Sequence, residues 1–310
     1  MTASASLPAP APAASATTAL APVVPAWLDR AAYPFALHTA ALPDGRLSYV
    51  DEGLGPTLLF AHGTPTWSFE WRHLIRALAT RYRCIAPDHL GFGLSDRPRG
   101  ADYSPEAHAR RFAAFADRLD LRDVTLVVHD FGGPIALPWA LASPDRVRNL
   151  VVLNSWMWSF ADDSLMQRRG KIAASFVGRA LYRWANASLR LLTPSVYGDR
   201  RKLTPAIHRQ YLAPFRDRWA RVEVLWALAR ALNGSAAHYD ELWQRRAALA
   251  GWSVALIWGL RDDAFRPTML DRWRIAAPHA RVVPLADAGH WPHEEDPEAV
   301  VAAIRKLVAG

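Results

Sequence analysis

The chain has 310 residues, of which 51% are hydrophobic and 21% charged, enough for one large domain or a core carrying an insertion. No run reaches the roughly eighteen uninterrupted apolar residues of a membrane span, and the single cysteine, Cys84, excludes an internal disulfide and fits a reducing, cytoplasmic setting. The net charge of +8 is uneven: residues 156–246 hold 16 Lys+Arg against 7 Asp+Glu, the remainder 21 against 22. No nucleic-acid motif accompanies this excess, so it reads as a solvated Arg-rich helical surface rather than a nucleic-acid site.

In chain order, residues 1–26 come first: uncharged, rich in Ala, Pro, Ser and Thr, and broken by Pro8, Pro10, Pro12, Pro22 and Pro25. They lack the basic start and unbroken apolar core of a secretory signal and read as a flexible leader. Short apolar runs ending in polar or small residues then recur. Thr57–Ala61 precedes His62-Gly63, Cys84–Ala86 precedes Pro87-Asp88, Val124–Val128 precedes His129-Asp130, and Leu150–Leu153 precedes Asn154. After a long gap, Val254–Trp258 precedes Gly259 and Arg281–Leu285 precedes Ala286-Asp287. Buried runs of this length, alternating with helix-like stretches, predict a mainly parallel sheet. Cys84 lies within such a run and reads as an inert core residue.

The gap differs in character. Residues 156–246 are rich in Leu, Ala, Arg and Trp, with Thr193-Pro194 and Thr204-Pro205 as expected helix starts. They read as a helical cap inserted between the two parts of an α/β core, residues 27–155 and 247–310.

In a parallel sheet, function gathers at the carboxyl ends of the strands. Asp130 follows one strand and precedes Gly132 and Gly133, as a nucleophile on a sharp strand-to-helix turn requires, because the backbone folds tightly behind it. Asp262 follows a later strand, with Asp263 adjacent as the alternative and Asn154 ending the neighbouring strand; His290 follows the last strand. Nucleophile, acid, histidine is the chain order of the α/β-hydrolase fold. Its oxyanion hole uses the amide after the nucleophile and one from a loop after an early strand, here Phe131 and Thr64. The histidines show no spacing with carboxylates that reads as a metal site, and no cofactor is implied.

His62-Gly63-Thr64-Pro65-Thr66-Trp67-Ser68, Pro87 to Asp96, His129 to Gly133 and Ala288-Gly289-His290 resemble the haloalkane dehalogenase family from about residue 45 to the C-terminus, more weakly within the cap. The resemblance implies an Asp130 nucleophile, a His290 base with Asp262 as its acidic partner, and a small-molecule substrate with a carbon–halogen bond. Epoxide hydrolases share the Asp nucleophile. Leu212 to Phe215 and Gly259 to Asp262 also resemble the β-lactone decarboxylases of olefin biosynthesis.

Two positions depart from the dehalogenase pattern. That family has Trp after the nucleophile and commonly Asn in the early loop, both holding the leaving halide; here they are Phe131, without a side-chain donor, and Thr64. A cap tryptophan such as Trp184 is a candidate substitute. The epoxide reading needs cap tyrosines over the ring oxygen, with Tyr182, Tyr197, Tyr211 and Tyr239 available. A reading of another class, a non-catalytic ligand-binding receptor on the same fold, has no need of nucleophile, acid and base together.

Overall fold

The computed structural model describes residues 24–309; residues 1–23 of the expected leader lie outside them. Eight strands form one sheet: β1 (Leu37–Leu42), β2 (Gly45–Glu52), β3 (Thr57–Ala61), β4 (Arg83–Pro87), β5 (Val124–Asp130), β6 (Val147–Ser155), β7 (Ser253–Gly259) and β8 (Arg281–Leu285). Their order is β1-β2-β4-β3-β5-β6-β7-β8. The β1–β2 and β2–β4 pairs are antiparallel; every other pair is parallel. This is the α/β-hydrolase fold expected from the apolar runs, all six of which are strands.

The antiparallel edge was not among those runs. Leu42 pairs with Gly45, leaving Pro43-Asp44 as the turn, and the Asp44-Gly45 dipeptide is a hairpin signal in its own right. At the centre, every residue of β5 is buried, and apart from Thr125, whose hydroxyl accepts from Asn149, the strand is apolar until its last two positions. Those are His129 and Asp130, where the register with β6 shifts. Cys84 is buried in β4, and burial pushes its thiol up to about 12, which keeps it inert at neutral pH.

Three helices follow strands of the first half: α1 (Arg72–Leu78), α2 (Pro105–Arg118) and α3 (Gly132–Ala142). The start of α2 is set by Pro105 at its first position and by the Ser104 side chain, which accepts from the Ala107 amide. Between β6 and β7 every element is helical, with no strand. The Thr204 side chain caps a helix over Pro205–Leu212 by accepting from the Ile207 amide at 3.3 Å. Thr193-Pro194, the other expected start, instead lies at the end of a helical run that begins at Ser188. There the Thr193 hydroxyl donates to the Ser188 carbonyl at 3.0 Å, so it closes a turn rather than opening one.

Candidate active site

Asp130 sits at the carboxyl end of β5 with φ of +48°, a left-handed conformation that is strained for a residue with a side chain. The tight turn fits because its neighbours are small. A Cβ on Gly132 would strike the Ala61 carbonyl, one on Gly133 the Ser155 hydroxyl, and one on Gly63 the Cβ of Asp130 itself. The Thr64 amide, just beyond Gly63, donates to Oδ1 of Asp130 at 2.8 Å. Phe131 follows at the head of α3.

Asp130 and His290 meet across the sheet, with Oδ2 of Asp130 3.5 Å from Nε2 of His290. On the other side of the ring, His290 Nδ1 donates to Asp262 Oδ2 at 2.7 Å. Asp262 is buried, whereas its neighbour Asp263 is exposed. Asn154, from the end of β6, ties Asp262 down: its Nδ2 donates to Asp262 Oδ2 at 2.8 Å and its Oδ1 accepts from the Gly259 amide at 2.9 Å. The Ala264 and Phe265 amides donate to the other carboxylate oxygen at 2.7 and 3.0 Å. A buried carboxylate with four donors is well satisfied. The structure therefore brings Asp130, His290 and Asp262 together, and makes Asn154 a hydrogen-bond donor to Asp262.

Electrostatics set the state of the ring. Burial alone would push the His290 pKa down, but the flanking carboxylates Asp262 and Asp130 outweigh it and raise it to about 10. With Asp130 ionised, His290 is an imidazolium held between two negative charges.

The loops around this trio are fixed by buried histidines. His62 Nδ1 donates to the Gly63 carbonyl at 2.7 Å, its Nε2 accepts from the His89 amide at 3.0 Å, and His89 Nε2 donates to the His62 carbonyl at 2.9 Å. Burial holds His62 well below the usual histidine range and brings His89 to about 4, so both rings are neutral and their donors and acceptors are fixed. This pair locks the loop that presents the Thr64 amide.

A second buried cluster escaped the sequence reading. His129 donates through Nε2 to the His290 carbonyl at 2.9 Å, and its Nδ1 faces Glu70 Oε1 at 3.2 Å. Glu70 also accepts from the Thr66 hydroxyl. Because a carbonyl can only accept, the Nδ1–Glu70 contact needs one proton shared by the two groups. His293 approaches the same carboxylate at 3.8 Å. Glu70, His129 and His293 are remote in sequence, so no spacing motif could have revealed them. They buttress the backbone of His290 from behind.

Aromatic rings wall the site. Trp156, the first residue after β6, packs edge-on against Phe131 at 4.7 Å and stacks on Phe265 at 5.0 Å, which in turn stacks on His290 at 5.2 Å. The Trp156 indole N–H and the Thr64 hydroxyl are both buried without a protein partner. Trp156 lies at a strand end, and that position was the available signal for it. Trp184, the expected substitute donor, is elsewhere. It is 59% exposed, with the Arg218 guanidinium 4.4 Å above its ring. The helical pattern identified a tryptophan in the insertion but not the face it occupies. Of the tyrosines, Tyr211 donates to Glu294 and Tyr239 to the Ala231 carbonyl at 3.0 Å. Tyr197 stacks on Trp291 at 5.0 Å. Burial pushes the Tyr182 phenol up to about 12, and the charge of Asp130 adds to the rise.

The helical segment between β6 and β7 is fastened to the histidine loop. The His290 amide donates to the Val196 carbonyl at 2.9 Å. The Glu295 carboxylate accepts from Gly289, Gly198 and Asp199 at 2.8, 3.2 and 2.9 Å.

Residues 56–297 match the sequence family of the α/β-hydrolase fold. Haloalkane dehalogenase 2 of Mycobacterium bovis is 36% identical over 273 residues, covering 88% of this chain and 94% of its own. The chain belongs to the α/β-hydrolase family, in its haloalkane dehalogenase-like branch. A second relative, the cis-3-alkyl-4-alkyloxetan-2-one decarboxylase of Shewanella oneidensis, is 32% identical over 284 residues, covering 89% of each chain. Among solved structures, a loop variant of the haloalkane dehalogenase from Bradyrhizobium elkanii superposes with a TM-score of 0.79 at 27% identity, over 89% of this chain and 97% of that one. The protein is thus a haloalkane dehalogenase-like hydrolase.

Proposed function

We propose that this hydrolase works through a covalent ester on Asp130, with His290 as base, Asp262 as its acidic partner and residues 156–246 as a cap over the site. The observation that carries this reading is the placement of Asp130, on a strained turn, between the Thr64 amide and the His290 ring. A carboxylate needs no base to act as a nucleophile at neutral pH. Its free oxygen attacks an sp³ carbon, the carbon–halogen bond breaks, and the halide departs with the electron pair. Water then adds to the Asp130 ester carbonyl as His290 takes its proton. The oxyanion is held by the Thr64 and Phe131 amides. Collapse returns the proton to the alcohol and frees the carboxylate.

The charge state of His290 orders the two steps. While Asp130 is ionised, the ring is held protonated near a pKa of about 10 and is useless as a base. Alkylation neutralises Asp130, removes one of the two flanking charges and lowers the ring's pKa, so the base appears only once there is an ester to hydrolyse. The leaving halide is held by the Thr64 hydroxyl and the Trp156 indole, both buried and unpartnered, in place of the missing donor at Phe131.

Phe131 also favours a second reading, a β-lactone substrate, in which no halide has to be held; the oxetanone decarboxylase relatives are of this chemistry by name. An epoxide would have to draw on Tyr182 or Tyr197, since the Tyr211 and Tyr239 hydroxyls are committed to Glu294 and Ala231. Intact-protein mass spectrometry of His290→Phe with 1,2-dibromoethane, a β-lactone panel and an epoxide panel tests all three. The expected result is an adduct on Asp130 with the bromide; an adduct with the lactone alone would transfer the assignment to that class, and none with any would overturn the nucleophile.

A further inference from the structure

Eleven large hydrophobic residues are exposed among the described residues, and seven of them lie between 172 and 192. Ile172 lies near the end of the helix Ser164–Ala174, and Phe176, Val177, Leu181 and Trp184 follow on the helical run Phe176 to Ala185 after a break at the extended Ser175, with Phe176 84% exposed. Leu191 and Leu192 add two more on the next segment. Scattered surface hydrophobics are ordinary; a concentration of this kind in one short stretch marks an interaction surface.

The charges around it say what it meets. From Ser164 to Gly198 there are six basic residues, Arg168, Arg169, Lys171, Arg179, Arg183 and Arg190, all exposed, and no Asp or Glu. The flanking carboxylates Asp162, Asp163 and Asp199 are paired instead with Arg272, Arg266 and Arg201. Beside the patch, Arg190, Arg209, Arg216 and Arg221 surround a cavity of about 220 Å³. Asn186, buried and with its side-chain oxygen unpartnered, also lines it. Apolar side chains ringed by arginines in excess, with Asp217 the acid beside Arg221, suit the boundary between acyl chains and anionic headgroups. A second copy of the same face would set arginines against arginines and is disfavoured by that repulsion.

We propose that residues 164–198 form a docking surface for an anionic lipid bilayer, with Phe176 and its neighbours at acyl-chain level and the arginines on the headgroup phosphates. The proposal rests on this surface alone and not on the chemistry of Asp130. The test is co-sedimentation of the full chain with phosphatidylcholine vesicles, with and without phosphatidylglycerol. Binding is expected only to the anionic vesicles and should weaken with salt. Ile172→Ser/Phe176→Ser and, separately, Arg179→Glu/Arg190→Glu should each reduce the bound fraction roughly tenfold, with unchanged thermal midpoints showing that the fold is intact. Failure to bind anionic vesicles, or variants that bind like the parent, would overturn it. So would light scattering that shows the patch residues controlling self-association in the absence of vesicle binding. None of these readouts uses turnover, so failure here is separable from failure of the ester mechanism.

Discussion

The strand-end site and the exposed stretch from Ser164 to Gly198 treat charge in opposite ways. At the site, charges are buried and answered: His290 lies between two carboxylates, and Asp262 accepts four hydrogen bonds. In the helical stretch, six basic side chains stand exposed with no acid in the segment. Charge that is buried and paired is costly to disturb. Charge that is exposed and unpaired costs little and remains available to a partner. The same contrast holds for apolar groups, since Trp156 is enclosed by Phe131 and Phe265 while Trp184 and Phe176 face outward.

This contrast can be broken most sharply at Asp130. Asp130→Asn should lower turnover by about 10⁴-fold or more, read as product release, with little loss of fold. Gly63→Ala comes next. Its new Cβ would overlap Asp130, so a loss of about 1–3 kcal/mol is expected in denaturant unfolding, together with reduced turnover as the Thr64 amide is displaced. Glu70→Gln removes the carboxylate that shares a proton with His129, and an imperfectly satisfied buried group should cost about 1–3 kcal/mol.

The pH dependence sharpens the comparison further. The folded pKa of His290 is raised from 6.5 to about 10, so its stabilising effect is complete below the unfolded value and lost as pH rises through about 10. Thermal midpoints should therefore fall across that window, and fall less in Asp130→Asn, where one carboxylate is gone. At the small end, Phe176→Ser should leave stability within about 0.5 kcal/mol of the parent, since the side chain is 84% exposed.

Much of this was legible in the sequence because the fold puts its chemistry at strand ends. Apolar runs marked six strands, and the residues just beyond them included Asp130, Asp262 and His290, which converge in space. Legibility failed where three-dimensional proximity has no local signature. Glu70 and His293 join His129 from distant parts of the chain, and a helical pattern places Trp184 on a helix without saying which side of it meets solvent. The β1–β2 hairpin was missed for another reason. Its strands carry mixed polar and apolar residues because β1 is the edge strand and β2 its neighbour, and only the Pro43-Asp44 turn, with Gly45 after it, betrays them.

Glu295 ties these regions into one device. Its carboxylate holds the amides of Gly198 and Asp199 in the helical segment and that of Gly289 beside His290. The histidine is therefore suspended partly from the segment that carries the exposed patch. Any displacement at Val196 to Asp199 pulls on the backbone of His290, both through the three hydrogen bonds of Glu295 and through the direct bond from the His290 amide to the Val196 carbonyl.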